Sequence, residues 1–144
     1  MSPARTDEPL RVGHRYIDFV VARAASRCQR IFAQDPTELC TTIVTVEEIL
    51  SGWYTQIRRA RNDEQMARAY AALQQTVEIG SRIPILAFDL AAIQRFNELG
   101  KQHRRVGTND LKIASMVMKN GAVLVTRNQS DFAKIPSLQF EDWS

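Results

Sequence analysis

The stretch VGTNDLKIASMVMKNGAVLVTRNQSDFAKI, Val106–Ile135, decides the architecture of this chain. Thr108 or Asn109 can cap a helix, Lys119 is its last residue, and Asn120-Gly121 ends it, because glycine adopts the left-handed backbone a helix stop requires. The residues that follow, AVLVT (Ala122–Thr126), are apolar and β-branched without alternation. That pattern predicts a short strand covered on both faces. Asp131–Lys134 reads as one helical turn, and Leu138–Phe140 as a final short strand.

The same alternation extends upstream. LCTTIVT (Leu39–Thr45) is short and β-branched, hence a buried strand. Thr45 can cap the helix after it, with Glu48 three residues on in the capping-box position. That helix runs through Ile49, Leu50, Trp53, Tyr54 and Ile57 to about Arg61. A second helix spans roughly Asp63 to Ile79, with Met66, Tyr70, Leu73 and Val77 on one stripe. IPILAF (Ile83–Phe88) suits a short strand, and Asp89 caps a helix carrying Ala92, Ile93, Phe96 and Leu99. Before all of these, the spacing of Ile17, Val20, Val21, Ala24, Cys28 and Ile31 predicts an amphipathic helix over His14–Phe32, stopped by Asp35-Pro36. Residues 1–13 read as irregular. Strands alternating with helices imply an α/β fold, a parallel β-sheet flanked by α-helices in an α/β/α sandwich, over a single domain 1–144.

Composition excludes several classes. The 144 residues are 44% hydrophobic and 24% charged, enough apolar content for one core and too much for a disordered chain. The longest strongly apolar runs, Ile43–Val46 and Ala122–Thr126, are far too short to span a bilayer. Met1–Leu10 (MSPARTDEPL) lacks the apolar centre of a leader, so a cytoplasmic protein with no membrane association is expected. Cys28 and Cys40 show no metal-binding spacing and read as buried thiols in a reducing compartment. His14 and His103 are too isolated for a zinc site. The net charge of +3 permits a polyanionic partner. Basic residues gather at Arg58, Arg59 and Arg61, and again at Lys101, Arg104 and Arg105.

In a parallel sheet, function sits beyond the carboxyl ends of the strands. Glu48 follows one strand within a turn, Asn128 and Asp131 follow another, and Asp110 opens a helix, where its charge is favourable. Hard oxygen donors without histidine or cysteine suit Mg²⁺ or Mn²⁺ rather than zinc. Phosphodiester hydrolysis needs a polarised water and neutralisation of charge growing on the phosphate, and carboxylate-held divalent ions provide both. Each acid also has an ordinary explanation. Glu47, Glu48 and Asp110 suit first helical turns, and Asn128 with Asp131 can simply form a turn.

TVEEILSG (Thr45–Gly52) resembles the PIN-domain segment in which a strand ends in threonine and a glutamate lies four residues before glycine. Val106–Ile135 is similar to the characteristic block of VapC-type toxin ribonucleases, Gly-x-x-Asp-x-x-Ile-Ala followed by Leu-Val-Thr-x-Asn-x-x-Asp-Phe. LQFEDWS (Leu138–Ser144) resembles their close. The resemblance covers about Glu38 to Ser144. It implies that Glu48 and Asp110 are metal ligands and that Asn128 takes a place that is aspartate in many relatives. Asp131 would be a nearby weaker ligand, and Thr126 would hydrogen-bond a ligand or water on the ion. It also implies Mg²⁺-dependent cleavage of structured RNA such as tRNA or rRNA, a homodimer, and a cognate antitoxin whose extended tail blocks the site.

One motif departs from the family. PIN proteins begin with a strand Leu-Leu-Asp-Thr-Asn/Asp whose aspartate is the central ligand. Here Thr6-Asp7 falls in that region with Arg5 in the ligand's place, and Asp18 in YIDFV has apolar flanks but lies inside the expected helix. Either the start or frame differs, or the protein is a degenerate relative with impaired activity. The alternative function is a catalytically inactive PIN-like module that binds RNA or protein.

Overall fold

A computed structural model describes residues 19–21 and 39–142. In chain order the elements are β1 (Phe19–Val21), β2 (Leu39–Thr42), α1 (Ile43–Arg59), α2 (Asp63–Gly80), β3 (Ile85–Leu86), α3 (Leu90–Gln102), α4 (Thr108–Lys119), β4 (Val123–Val125), α5 (Gln129–Phe132) and β5 (Phe140–Glu141). The α/β architecture expected from the alternation is present. The expected helix over His14–Phe32 is not borne out at Phe19–Val21, which form a strand; its remainder lies outside the described residues, as do Arg5, Asp7, Asp18 and Cys28. Phe, Val and Val fit a pleated central strand as well as they fit a helical stripe, and pairing on both sides satisfies their backbone.

The strands form one sheet in the order β3-β2-β1-β4-β5. β2 pairs parallel with β3, and β4 parallel with β5, while β1 runs antiparallel to both its neighbours. The sheet is therefore mixed rather than wholly parallel. Leu39 and Val123 both face Val21 across β1, so β2 and β4 point the same way at the same level. Thr42 and Thr126, each three residues further on, consequently leave the sheet at one edge.

α4 forms the centre of the core. Leu111, Ile113, Ala114, Ser115, Met116 and Val117 are all buried, with Met116 and Val117 fully inaccessible. A helix apolar around most of its circumference must be covered on several sides. α4 packs against α3, α1, β4 and α5. Phe132, Ile135 and Leu138 close one side, and Ala92 with Leu99 of α3 another. Its C-terminal end is as the sequence predicts: Gly121 has φ 59°, the left-handed value glycine tolerates without penalty. α3 begins as predicted too, with the Asp89 carboxylate accepting from Ala92 N–H at 3.0 Å and pairing with Lys119 of α4.

Several boundaries differ from expectation. Strand β2 ends at Thr42, not Thr45, and Thr42 is the N-cap of α1: its hydroxyl accepts from Thr45 N–H at 3.0 Å. The β-branched run Ile43–Thr45 thus makes the first helical turn, a capping bond overriding local strand preference. Glu48 is displaced from the expected capping-box position into the second turn. α4 is preceded by Gly107 as N-cap, without a side-chain cap bond, rather than by Thr108 or Asn109. α5 begins two residues before the expected turn at Asp131, and β5 is Phe140–Glu141 because Leu138 is used in the core.

Candidate active site at one edge of the sheet

The edge where Thr42 and Thr126 emerge is where the candidate residues gather, in two groups. The first joins α1 to α4. Glu48 is half-buried one turn into α1, and its carboxylate Oε1 accepts a hydrogen bond from Asn109 Nδ2 at 2.9 Å. Asn109 and Asp110 are consecutive residues of the first turn of α4, so the bond ties Glu48 to the backbone that carries Asp110. The Asp110 carboxylate leans back over Gly107, where a Cβ would lie 3.5 Å from its Oδ2. A helix N-terminus stabilises a carboxylate so placed, because its exposed N–H groups carry partial positive charge.

The second group follows β4. Thr126 is buried, and its Oγ1 accepts from Asn128 N–H at 3.0 Å, turning the chain sharply out of the strand. Asn128 is exposed and is the N-cap residue of α5 without capping it through its side chain. Its amide nitrogen donates to Asp131 Oδ2 at 3.4 Å, and Ser130 Oγ donates to its Oδ1 at 3.2 Å. Asp131 Oδ1 accepts from Lys134 Nζ at 2.7 Å. The Lys134 hydrogen bond, and next the Asn128 amide, hold the Asp131 carboxyl below its ordinary value.

Glu48 is thus brought to Asp110's helix, and Thr126, Asn128 and Asp131 are brought to one another. Among the described residues, no three acidic, histidine or cysteine side chains form a metal cluster. Sequence reasoning missed Asn109, read only as a cap, and Lys134, which no motif singled out. The donor sets are oxygen and amide only, the chemistry of a hard divalent cation, and Mg²⁺ is commonly held by one or two carboxylates with retained water. Cys40 is a buried thiol in β2, its pKa raised by burial, and belongs to the core instead. No helix among the described residues is long and apolar enough to cross a membrane.

Alongside α1 lies an apolar groove of about 580 Å³, lined by Ile43, Val46, Leu50, Tyr54 and Phe88, with Glu47, Arg58 and Lys112 at its margins. Lys112 lies 5.9 Å from the centre of the Phe88 ring, a cation–π contact.

The model of the PIN domain matches residues 17–138. Ribonuclease VapC1 of Haemophilus influenzae strain R2866 is 32% identical over 120 residues, covering 83% of this chain and 84% of that protein. The tRNA(fMet)-specific endonuclease VapC of Shigella flexneri is 28% identical over 130 residues, covering 88% and 91%. Among solved structures, VapBC2 of Rickettsia felis bound to a promoter DNA fragment superposes with a TM-score of 0.57 at 25% identity, over 73% of this chain and 74% of that one. VapBC-1 of nontypeable Haemophilus influenzae gives 0.55 at 28% identity, over 72% and 73%. With the helix–strand block of Val106–Ile135 folded as those motifs require, the chain belongs to the PIN-domain family, among the VapC ribonucleases.

Proposed function

We propose that this protein is a Mg²⁺- or Mn²⁺-dependent endoribonuclease, the toxin of a toxin–antitoxin pair, acting as one domain on structured RNA such as tRNA or rRNA. The observation that carries the reading is the Asn109–Glu48 hydrogen bond, which holds a glutamate of α1 against the opening turn of α4 where Asp110 stands. Glu48 and Asp110 would hold the ion, with Asn128 as a neutral oxygen donor and Asp131 as a weaker neighbour. When bound, such an ion would polarise the attacking water and offset charge developing on the phosphate. The chain's own residues do the positioning: Asn109 orients Glu48, the first turn of α4 presents Asp110, and Thr126 fixes the turn that presents Asn128.

The name VapBC of the structural neighbours supports an antitoxin as partner. The groove along α1 supports it further, since an amphipathic segment laid there would cover Leu50 and Tyr54 on the same helix that bears Glu48. A homodimer is supported by α2, where Met66, Tyr70 and Val77 are 44%, 54% and 57% exposed along one stripe. The second reading, an inactive PIN-like RNA- or protein-binding module, draws on the absence of the Leu-Leu-Asp-Thr motif and of a cluster of three acids among the described residues.

The test is cleavage of tRNA and rRNA by the full chain. The nuclease reading expects cleavage with Mg²⁺ or Mn²⁺, abolished by Asp110→Asn, which removes the charge at constant size. Cleavage that survives this variant or excess chelator would belong to a contaminant or another site.

A further inference from the structure

We infer that the pocket formed by Lys101, His103, Arg104, Arg105 and Lys134 is a docking site for the phosphate backbone of RNA, distinct from the carboxylate edge. The inference rests on the ribonuclease reading for the kind of polyanion. The pocket measures about 350 Å³ and no acidic side chain lines it. Three separate segments supply its cations: the last turn of α3 gives Lys101, the α3–α4 connection gives Arg104 and Arg105, and the loop after α5 gives Lys134.

The local structure presents these groups instead of hiding them. Val106 N–H donates to His103 O at 3.1 Å, closing a tight turn with Arg104 and Arg105 as its two central residues. Both are exposed, and among the described residues neither is recorded in an ion pair with an acid. Val106 is buried, so the turn is anchored at its base while its arginines remain at the tip. Like charges held together in a concavity raise the local potential, and a string of phosphates relieves it.

Position argues for substrate rather than a generic basic face. Val106 runs directly into Gly107 and the α4 turn that carries Asp110. On the other side, Lys134 bonds Asp131, which contacts Asn128. The pocket therefore borders both groups of candidate site residues. A strand seated across Arg104 and Arg105 would extend toward the carboxylates.

The experiment measures binding apart from cleavage. Full-length D110N in excess chelator is titrated into fluorescein-labelled tRNA, with anisotropy read from low to moderate KCl. Adding R104A/R105A is expected to weaken binding on the order of tenfold at low salt. It should also flatten the plot of log K against log salt by about 1.4, two contacts at roughly 0.7 each. R104K/R105K should retain most of the slope, which separates lost charge from lost folding. An unchanged slope in R104A/R105A would overturn the inference. Failure here is separable from failure of the nuclease reading. If the unmutated chain cleaves no RNA yet the anisotropy changes hold, docking stands without catalysis. If it cleaves RNA with KM unmoved by R104A/R105A, docking fails alone.

Discussion

Asn109 Nδ2 and Glu48 Oε1 meet at 2.9 Å across 61 residues of sequence, joining the first turn of α4 to the second turn of α1. A carboxylate offered to a cation works best when its other lone pairs are already committed, because it then loses little freedom on binding. Asn109→Ala is accordingly expected to lower divalent-ion affinity or cleavage by about 10-fold or more. Asn109→Asp should do worse, by setting a second negative charge against Glu48. Unchanged activity in both variants would reduce the bond to a packing contact.

Ion binding by the unmutated chain should be weak. On the proposed ligand set Glu48 and Asp110 would supply two carboxylates, while Asp131 is paired with Lys134 and Asn128 brings no charge. Calorimetric titration with Mg²⁺ and Mn²⁺ checks this. Tight binding would mean that an acid outside the described residues, Asp7 or Asp18, replaces the family's aspartate, and Asp18→Asn would tell which.

Asp89 offers a pH test of the α3–α4 contact. Its carboxyl is held below the ordinary value, first by the Lys119 hydrogen bond and then by the Ala92 N–H. A depressed folded pKa gives stability that is present above the unfolded value, about 3.9, and is lost as pH falls through the folded value. Asp89→Ala should therefore lower Tm at neutral pH, and the gap to the unmutated protein should close only in strong acid. Asp89→Asn, which can still cap α3, should lose less. A gap independent of pH would remove the charge from the explanation.

Thr41 Oγ1 is buried in β2 and has no hydrogen-bond partner among the described residues. Valine has nearly the same shape, no hydroxyl to desolvate and a higher strand preference. Thr41→Val should raise stability by about 1 kcal/mol in urea denaturation. A loss of stability would show that the hydroxyl has a partner in the folded protein.

Dimerisation through α2 predicts that Tyr70→Glu shifts the protein toward monomer in light scattering at micromolar concentration, with its helix content intact. A protein already monomeric before mutation would sink the proposal.

Much of the fold was legible because α4 and β4 carry signals of two kinds at once, apolar pattern and stop chemistry, as at Asn120-Gly121. Boundaries failed where one hydrogen bond outweighed local preference, as when Thr42 started α1 inside a β-branched run. The strand at Phe19–Val21 was hidden for another reason. Three residues are too few to show a period, and their pairing depends on β2 and β4, distant in sequence. Glu48 and Asp110 stood out by motif. Asn109 did not, because a residue that orients another leaves no spacing of its own.

Strand β1 has three residues, yet among the described residues it is the one strand that joins the β2/β3 pair to the β4/β5 pair. The two halves of the sheet are thus joined in series rather than in parallel. An opening at Phe19–Val21 would leave each pair with an unprotected flank at the same instant. In native-state hydrogen exchange, the amides of Cys40 and Val125, which face β1, should accordingly exchange with a common opening free energy although they lie 85 positions apart in sequence. A ligand bridging α1 and α4 should slow both together, so occupancy at the carboxylate edge would be readable from the middle of the sheet.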